Sequence, residues 1–579
     1  MRWINARGFD VFMVIAAVLV VTAPVLFTSS GFAVDFTNDL WVGWVAGREF
    51  IQGWHPSYFF NTDQMGAFYP FFAFYGGTLY TVTGTVSALL GDRPLVGFAV
   101  VTALAVAGCY MGMLWLGRQL GLRGWTAHAP ALTVVTSAYY ITNLYGRGDW
   151  REFVATSTIA PLLAASVHLA RAPTWRPLPV LVFVLAMIIF TGSHSLTLIW
   201  GTTMVAIALL VMWLALGAPR RLPYPRLARI AGLGAIAALV NAWFLFPDIA
   251  YFKNTMISTE LAFDWYASSF FNTPSLVLDP FRRVPFQSST PALFVQAPVW
   301  FLAWGLVAGV LLQWRRPITN RLRGAWLGAA IMVGLTLGLI FYPPVWKLFT
   351  YPWTGIQVPY RIGTYVFYAI AGLVLISALQ LQRASAAGLR YTSGLLRFAL
   401  VAVCAVSLGL CIWQQWVPKT LITNQYFNSD PNRSEALTGV HILPTTWYDR
   451  NAFLDLQAPV VTVPGERLLL INPRLVHDNH YSAWMNVPPG REPIQTNIGG
   501  GSYIAHISGL ERVGRSAKGY AVVRRLNNGS GPVHVTVEVT HSPVVELSWA
   551  LSILAVIALF VILTYLSVGV RLSARGPTA

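Results

Sequence analysis

The chain has 579 residues, of which 55% are hydrophobic and only 11% charged, with a formal net charge of +17. Soluble globular proteins carry about one quarter charged residues, so the composition argues against a water-soluble fold. The basic excess lies in short arginine clusters between apolar blocks, a signal of membrane topology rather than of nucleic-acid binding. The three cysteines, Cys109, Cys404 and Cys411, sit in or beside apolar blocks and suggest neither a disulfide framework nor a thiolate metal site.

The blocks are about 20 residues long, enough for a helix to cross about 30 Å of hydrocarbon. In chain order they fall at 11–30, 95–116, 127–145, 151–170, 178–193, 195–217, 228–247, 292–313, 325–342, 361–381, 393–412 and 545–567. The first could pass for a signal peptide, but SSGFAVDF after it offers no small-residue cleavage site, so it reads as a retained helix. About twelve crossings leave both ends in the cytoplasm and put inside the arginine clusters Arg118 and Arg123, Arg171 and Arg176, Arg220 to Arg229, Arg315 to Arg323 and Arg383 to Arg397. Of the 22 Asp and Glu, Asp10 alone then lies inside. Residues 68–90 are apolar enough to span, but a further crossing would break this parity. They are expected as interfacial or re-entrant helices in the first exterior loop, around Gly76-Gly77.

The expected layout is a membrane core at 1–412 with exterior loops 31–94, 248–291 and 343–360. An exterior soluble domain at 413–544, a last span at 545–567 and a cytoplasmic tail at 568–579 follow. Within 413–544, the segments VVTVPGERLLLI, YAVVRRL and PVHVTVEVT carry the β-branched pattern of strands, so a small mixed α/β or mostly β fold is expected.

Candidate chemistry concentrates in the exterior loops. The first carries Asp35 and Asp39, then Glu49. A carboxylate at the membrane surface can take a proton from a hydroxyl while a lipid-linked leaving group stays in the bilayer. Next comes Tyr145-Gly-Arg147-Gly-Asp149-Trp-Arg151-Glu152, four charges within six residues between two apolar blocks. The arginine fork suits phosphate, and Asp149 and Glu152 can orient the arginines or hold a divalent cation (Mg2+, Mn2+ or Ca2+). A surface turn whose charges pair with one another is the plainer alternative. His194, in TGSHSLT, can bond a phosphate or sugar hydroxyl, or serve structurally. Arg361, in Gln357-Val-Pro-Tyr360-Arg361, is an exterior positive charge against the topology pattern, to be explained by an anion or by an acid partner. Asp264, Trp265 and Tyr266 in the loop 248–291 combine aromatic and polar groups as sugar contacts do, and equally as an interfacial belt does. No Walker-type phosphate loop and no nucleophile elbow occurs.

These motifs resemble the GT-C glycosyltransferase superfamily. More narrowly, Asp35 to Asp39, Tyr69-Pro70-Phe71, the Arg147 to Glu152 cluster and Gln357 to Arg361 resemble the bacterial membrane proteins named as related to 6-pyruvoyl-tetrahydropterin synthase, with their YfhO-like relatives, and distantly arabinofuranosyltransferases. That name is no evidence of pterin chemistry. The resemblance spans roughly residues 10 to 420. The family pattern at the second motif is close to R-G-A-x-x-E, from which Asp149 departs while Glu152 keeps the acid. The resemblance implies a polyprenyl-phosphate sugar donor, a cell-envelope glycan or lipid acceptor, and a first-loop Asp as base. Arabinofuranose and mannose both fit it.

The leading expectation is therefore an inverting glycosyltransferase of the bacterial cytoplasmic membrane, working on the exterior face. Asp35 is the base and Asp39 its alternate. Arg147, Arg151, Arg361 and His194 hold the donor phosphate, with Asp149 and Glu152 orienting them. Glu49, Asp264, Trp265, Tyr266, Gln357 and Tyr360 touch sugar or acceptor. A transporter or flippase would need charges deep within the spans, and a cell-envelope assembly scaffold, working through protein partners, would not need the first-loop acids.

Overall fold

The computed structural model describes residues 2–27, 34–56, 60–62, 66–69, 77–146, 148–216, 224–251, 274–281, 295–315, 318–350, 352–353, 359–415, 458–465, 467–472, 476–477, 479–498, 504–517, 520–539 and 542–574. The molecule is mostly helical, with a small sheet domain. Among the described residues, seven helices are long and apolar enough to cross a membrane, or eight with one bent pair. The expected twelve crossings are not reached by that count.

Helix α1 (Arg2–Phe27) is followed by α2 (Val34–Gly53), the strands β1 (Phe60–Thr62) and β2 (Gly66–Tyr69), and α3 (Gly77–Leu89). With 13 residues, α3 is about 20 Å long, short of the hydrocarbon thickness. It packs against α2 with backbone touching backbone. A Cβ on Gly84 would lie 1.8 Å from the Gly43 carbonyl oxygen, and one on Gly47 would lie 1.9 Å from the Gly84 carbonyl carbon. Small residues spaced four apart allow this approach.

The core continues through α4 (Pro94–Leu120), α5 (Ala129–Val135), α6 (Ala138–Ile141), α7 (Trp150–Arg171), α8 (Pro177–Ser193) and α9 (Ser195–Leu216). In the last turn of α4 Arg118 donates to both Asp10 oxygens at 2.7 and 2.9 Å, tying α4 to α1. His128 Nε2 lies 3.0 Å from the same carboxylate.

Two expected spans are broken. Residues 127–145 are not one helix: α5 stops at Thr136, whose hydroxyl bonds back to the Leu132 carbonyl at 2.7 Å. Ser137 is then extended, and after α6 the backbone widens into a π turn, Thr142–Gly146. Residues 228–247 form α10 (Tyr224–Leu239) and α11 (Ala242–Tyr251), with an 80° bend between them. The bend is held by Asn241, which is fully buried. Its amide donates to the Ile188 carbonyl at 2.8 Å and the Thr191 hydroxyl at 2.6 Å, and its carbonyl accepts from Thr78 at 2.5 Å. A buried amide must be satisfied, and these partners on α3 and α8 set the chain direction there.

Helices α12 (Val299–Gln313), α13 (Asn320–Phe341), α14 (Gly363–Ala386) and α15 (Arg390–Gln415) complete the membrane part before the sheets, and α16 (Pro543–Ala574) follows them. The strands are β3 (Leu468–Leu469), β4 (Val476–His477), β5 (His480–Asn486), β6 (Ile494–Thr496), β7 (Ile504–Ser508), β8 (Leu510–Arg515), β9 (Ala521–Arg525) and β10 (Pro532–Val539). They form two four-stranded sheets, in the orders β4-β5-β10-β7 and β3-β6-β9-β8. The three strand-like segments of the sequence fall on β3, β9 and β10, although 460–463 is not strand. Buried Tyr481, Val535 and Val537 of one sheet share a hydrophobic cluster with Ile494, Val523 and Leu510 of the other. The same cluster takes in Val42, Trp44 and Ala46 of α2 and Ala67 and Phe68 of β2. Ala67 also bridges in parallel to Ile498, its amide donating to the Asn497 carbonyl at 2.8 Å. The sheet domain is thereby joined to the helix that carries Asp39.

Candidate active site

Two groups of buried charges meet at the start of α7. The first is built on Asp39, only 3% exposed on the face of α2 that also carries Gly43 and Gly47. The Tyr80 hydroxyl, on α3, donates to Asp39 Oδ1 in a short hydrogen bond. Arg151 Nε lies 3.3 Å from the same oxygen, with its guanidinium carbon 5.7 Å from the Tyr80 ring centre. Burial, foremost, pushes the Tyr80 hydroxyl well above its ordinary range, so it stays protonated and donates. Arg151 stands two residues after Asp149, at the start of α7, which makes the two groups neighbours.

The second group is built on Asp149. Gly148, at a left-handed φ of 77°, turns the chain sharply. Asp149 Oδ1 then caps α7 by accepting from the Glu152 amide at 3.1 Å. That leaves Oδ2 to face Arg361 NH2 at 3.5 Å and His194 Nε2 at 3.9 Å. Glu152 Oε2 lies 3.6 Å from Arg361 Nε. Its Oε1 accepts from the Tyr139 hydroxyl at 2.7 Å and the Asn143 amide at 3.3 Å. The N-terminal end of α7 favours both carboxylates through the helix dipole. Arg361 reaches them because Gly363 lets α14 rest on the Tyr139 ring: a Cβ there would come within 2.9 Å of it. His194 fills the break between α8 and α9, its Nδ1 2.7 Å from the Thr197 hydroxyl. The Thr197 amide points at the same nitrogen from 3.3 Å. When Nδ1 accepts, Nε2 carries the proton and faces Asp149.

Asp149, Glu152 and His194 each offer one ligand atom, all within 4.8 Å of one another. Two hard carboxylates and an imidazole are a fitting donor set for a divalent cation. Around the site three carboxylates (Asp39, Asp149, Glu152) face two guanidiniums (Arg151, Arg361) and one imidazole, all buried or nearly so.

Of the residues singled out in the sequence, the structure therefore brings together Asp39, Asp149, Arg151, Glu152, His194 and Arg361. Tyr360 is buried beside them, its ring edge-on to Tyr139 at 6.2 Å. Glu49 lies half-buried farther along α2. Asp35 falls on α2 one turn before Asp39, with its side chain outside the described residues. Arg147, Asp264, Trp265, Tyr266 and Gln357 also lie outside them. Sequence reasoning missed Tyr80, Tyr139, Asn143 and Thr197. A signal existed for two of these: Tyr139 and Asn143 stand four apart in an apolar block, just before the charged cluster.

No family model matches the chain, and no curated protein sequence matches it. Solved structures with a related shape include the arabinofuranosyltransferase AftD from Mycobacteria, at 15% identity and a TM-score of 0.44, over 73% of this chain and 28% of that one. The oligosaccharyltransferase of Archaeoglobus fulgidus, solved as a complex with Zn and sulfate, is similar at 11% identity and a TM-score of 0.41, over 79% of this chain and 60% of that one. Its apo form matches at 12% identity and the same TM-score. The chain spans less than two thirds of each of these proteins, and the likeness is one of partial shape.

Proposed function

We propose that the protein is a membrane glycosyltransferase moving a sugar from a polyprenyl-phosphate donor to a hydroxyl of a cell-envelope glycan or lipid on the exterior face. The observation that carries this reading is the pairing of buried carboxylates with Arg151 and Arg361 at the junction of α2, α7 and α14. Buried charges among apolar helices are costly and are kept where they are used.

In the proposed reaction the acceptor oxygen attacks the anomeric carbon, the carbon–phosphate oxygen bond breaks, and the acceptor proton passes to a first-loop carboxylate. Asp35 is the better base. Asp39 Oδ1 is already engaged by Tyr80 and Arg151, so Asp39 is assigned a positioning role. Asp39 then holds Arg151 in place. Arg151, Arg361 and Arg147 stabilise the departing phosphate, and His194, through Nε2, donates to it. A divalent cation on Asp149, Glu152 and His194 would bind the bare imidazole nitrogen, and so would supply positive charge at the phosphate in place of the His194 hydrogen bond. One direct displacement inverts the sugar. Arabinofuranose and mannose are the sugars to test first.

The test is turnover of radiolabelled polyprenyl-phosphate sugars by the purified protein with a cell-envelope lipid extract, comparing wild type, Asp35→Asn and Asp39→Asn. Transfer by wild type, abolished in folded Asp35→Asn, is expected. Retention of configuration refutes the single displacement. Absence of transfer from every donor, with folded protein and a competent extract, refutes the enzyme reading in favour of transport or scaffolding.

A further inference from the structure

We infer that the outer face of the β4-β5-β10-β7 sheet binds a neutral glycan chain, with Trp484 as its stacking platform. Strand β5 alternates exposed and buried residues along its length. Its inward set, Tyr481 and Met485, is buried in the sandwich. The outward set contains Trp484, 71% exposed. Strand periodicity calls for a polar residue at such a position, and the core gains nothing from an indole there.

The surroundings of the indole are ordered and polar. Across the strand pair Trp484 faces His534, with ring centres 5.2 Å apart. His534 is itself held by the Ser482 hydroxyl, 3.1 Å from its Nε2. Ser482 faces Thr536 in register, their hydroxyls 3.5 Å apart. One pair further along, Glu538 stands between His480 on β5 and His506 on β7. Equivalent positions repeat about 7 Å apart along a strand and about 4.8 Å apart across strands. A sugar ring laid by its C–H face on Trp484 thus brings its own hydroxyls, or those of the next unit, over Ser482 and Thr536.

Charge and shape select the occupant. Among the described outward residues of β5, β7 and β10 there is no lysine or arginine, so a phosphate-rich surface or nucleic acid finds no counter-charge. A single aromatic plate ringed by hydroxyl, imidazole and carboxylate groups is no apolar patch of the kind that docks a protein core. It matches a ligand with alternating C–H and O–H faces. The inference deepens the transferase reading, since it names the surface where an acceptor chain is held. It uses none of the buried charges grouped around Asp39 and Asp149.

The test is saturation-transfer NMR and tryptophan fluorescence on the full-length protein in nanodiscs, with soluble arabinan and mannan oligosaccharides as probes. Binding to at least one probe is expected. Trp484→Ala should weaken it about tenfold or more, while Trp484→Phe retains most of it. Asp39→Asn should leave binding unchanged, so failure of catalysis and failure of this surface read out separately. No binding of either glycan by wild type, or equal binding by Trp484→Ala, overturns the proposal. So does quenching of Trp484 by brominated lipid in place of glycan, which would make this face a membrane contact.

Discussion

Replacing Gly84 by alanine tests how α2 and α3 hold the site. On an exposed helix this change stabilises by up to about 1 kcal/mol, because alanine is the better helix former. Here the new methyl would stand 1.8 Å from the Gly43 carbonyl oxygen and 2.6 Å from the Gly47 nitrogen. Both are backbone atoms that no rotamer change can move. A normal contact needs about 3.2 Å, so the helices must part by roughly 1.4 Å, an overpacking that costs about 1–3 kcal/mol. Tyr80 lies one turn before Gly84, and Asp39 one turn before Gly43, so the same parting opens the Tyr80–Asp39 hydrogen bond. A displacement of about 1 Å in a catalytic constellation can lower turnover about a hundredfold. The assay is thermal unfolding together with sugar transfer for Gly84→Ala, beside Gly108→Ala, whose Cβ meets nothing within 4 Å. Gly84→Ala should melt below wild type and lose most of its turnover, whereas Gly108→Ala should melt at or slightly above wild type with its turnover unchanged. Identical behaviour of the two variants would refute the account of backbone contact.

Three further outcomes follow from the geometry. Arg361→Ala leaves Asp149 and Glu152 without their guanidinium and should destabilise by about 3–5 kcal/mol; adding Glu152→Gln should restore part of the melting temperature but none of the turnover. Asn241→Ala removes the amide that holds the bend between α10 and α11 and should cost about 1–3 kcal/mol in chemical denaturation, whereas a neutral result would assign the bend to the surrounding packing. In the sheet domain, the Arg524 hydrogen bond holds the exposed Glu511 carboxyl below its ordinary 4.5. A depressed acid stabilises above its unfolded pKa and loses that contribution as pH falls through its folded value. The melting difference between wild type and Glu511→Gln should therefore shrink on acidification from about pH 7 to about pH 3.

Much of the site was legible because charge is rare in this chain. Against an apolar background Asp39, the Asp149 to Glu152 cluster and Arg361 each required an explanation, and electrostatics supplied one: acids and arginines distant in sequence pair in one buried cluster. Arg361, set down as either an anion ligand or an acid's partner, contacts Asp149 and Glu152 directly. Its partners were legible only as types, since sequence does not reveal which helices meet. The breaks at Thr136 and Asn241 were hidden because mean hydropathy averages over a window, while a break is decided by one residue's hydrogen bonds. Asn241 alone in an apolar run was the available signal. The α2–α3 contact was written as Gly43-x-x-x-Gly47, but its match, Gly84, stands alone and gains meaning only beside it. Tyr80 looked like one more interfacial aromatic, and nothing local distinguishes a ring at a lipid surface from one whose hydroxyl serves a buried acid.

The bridge from Ala67 to Ile498 has a consequence for biosynthesis. At about 5–20 residues per second, a ribosome that has made the hairpin of β1 and β2 works on for about 20 s or longer before the strand partner exists. Throughout that interval the segment bearing Asp39 lacks the apolar cover it shares with the sheet domain. Completion of that cover is therefore a late event: a nascent chain stalled before the sheets would already carry Tyr80, Arg151 and Arg361, the partners of the buried acids, but not the apolar face that the sheets lay on α2.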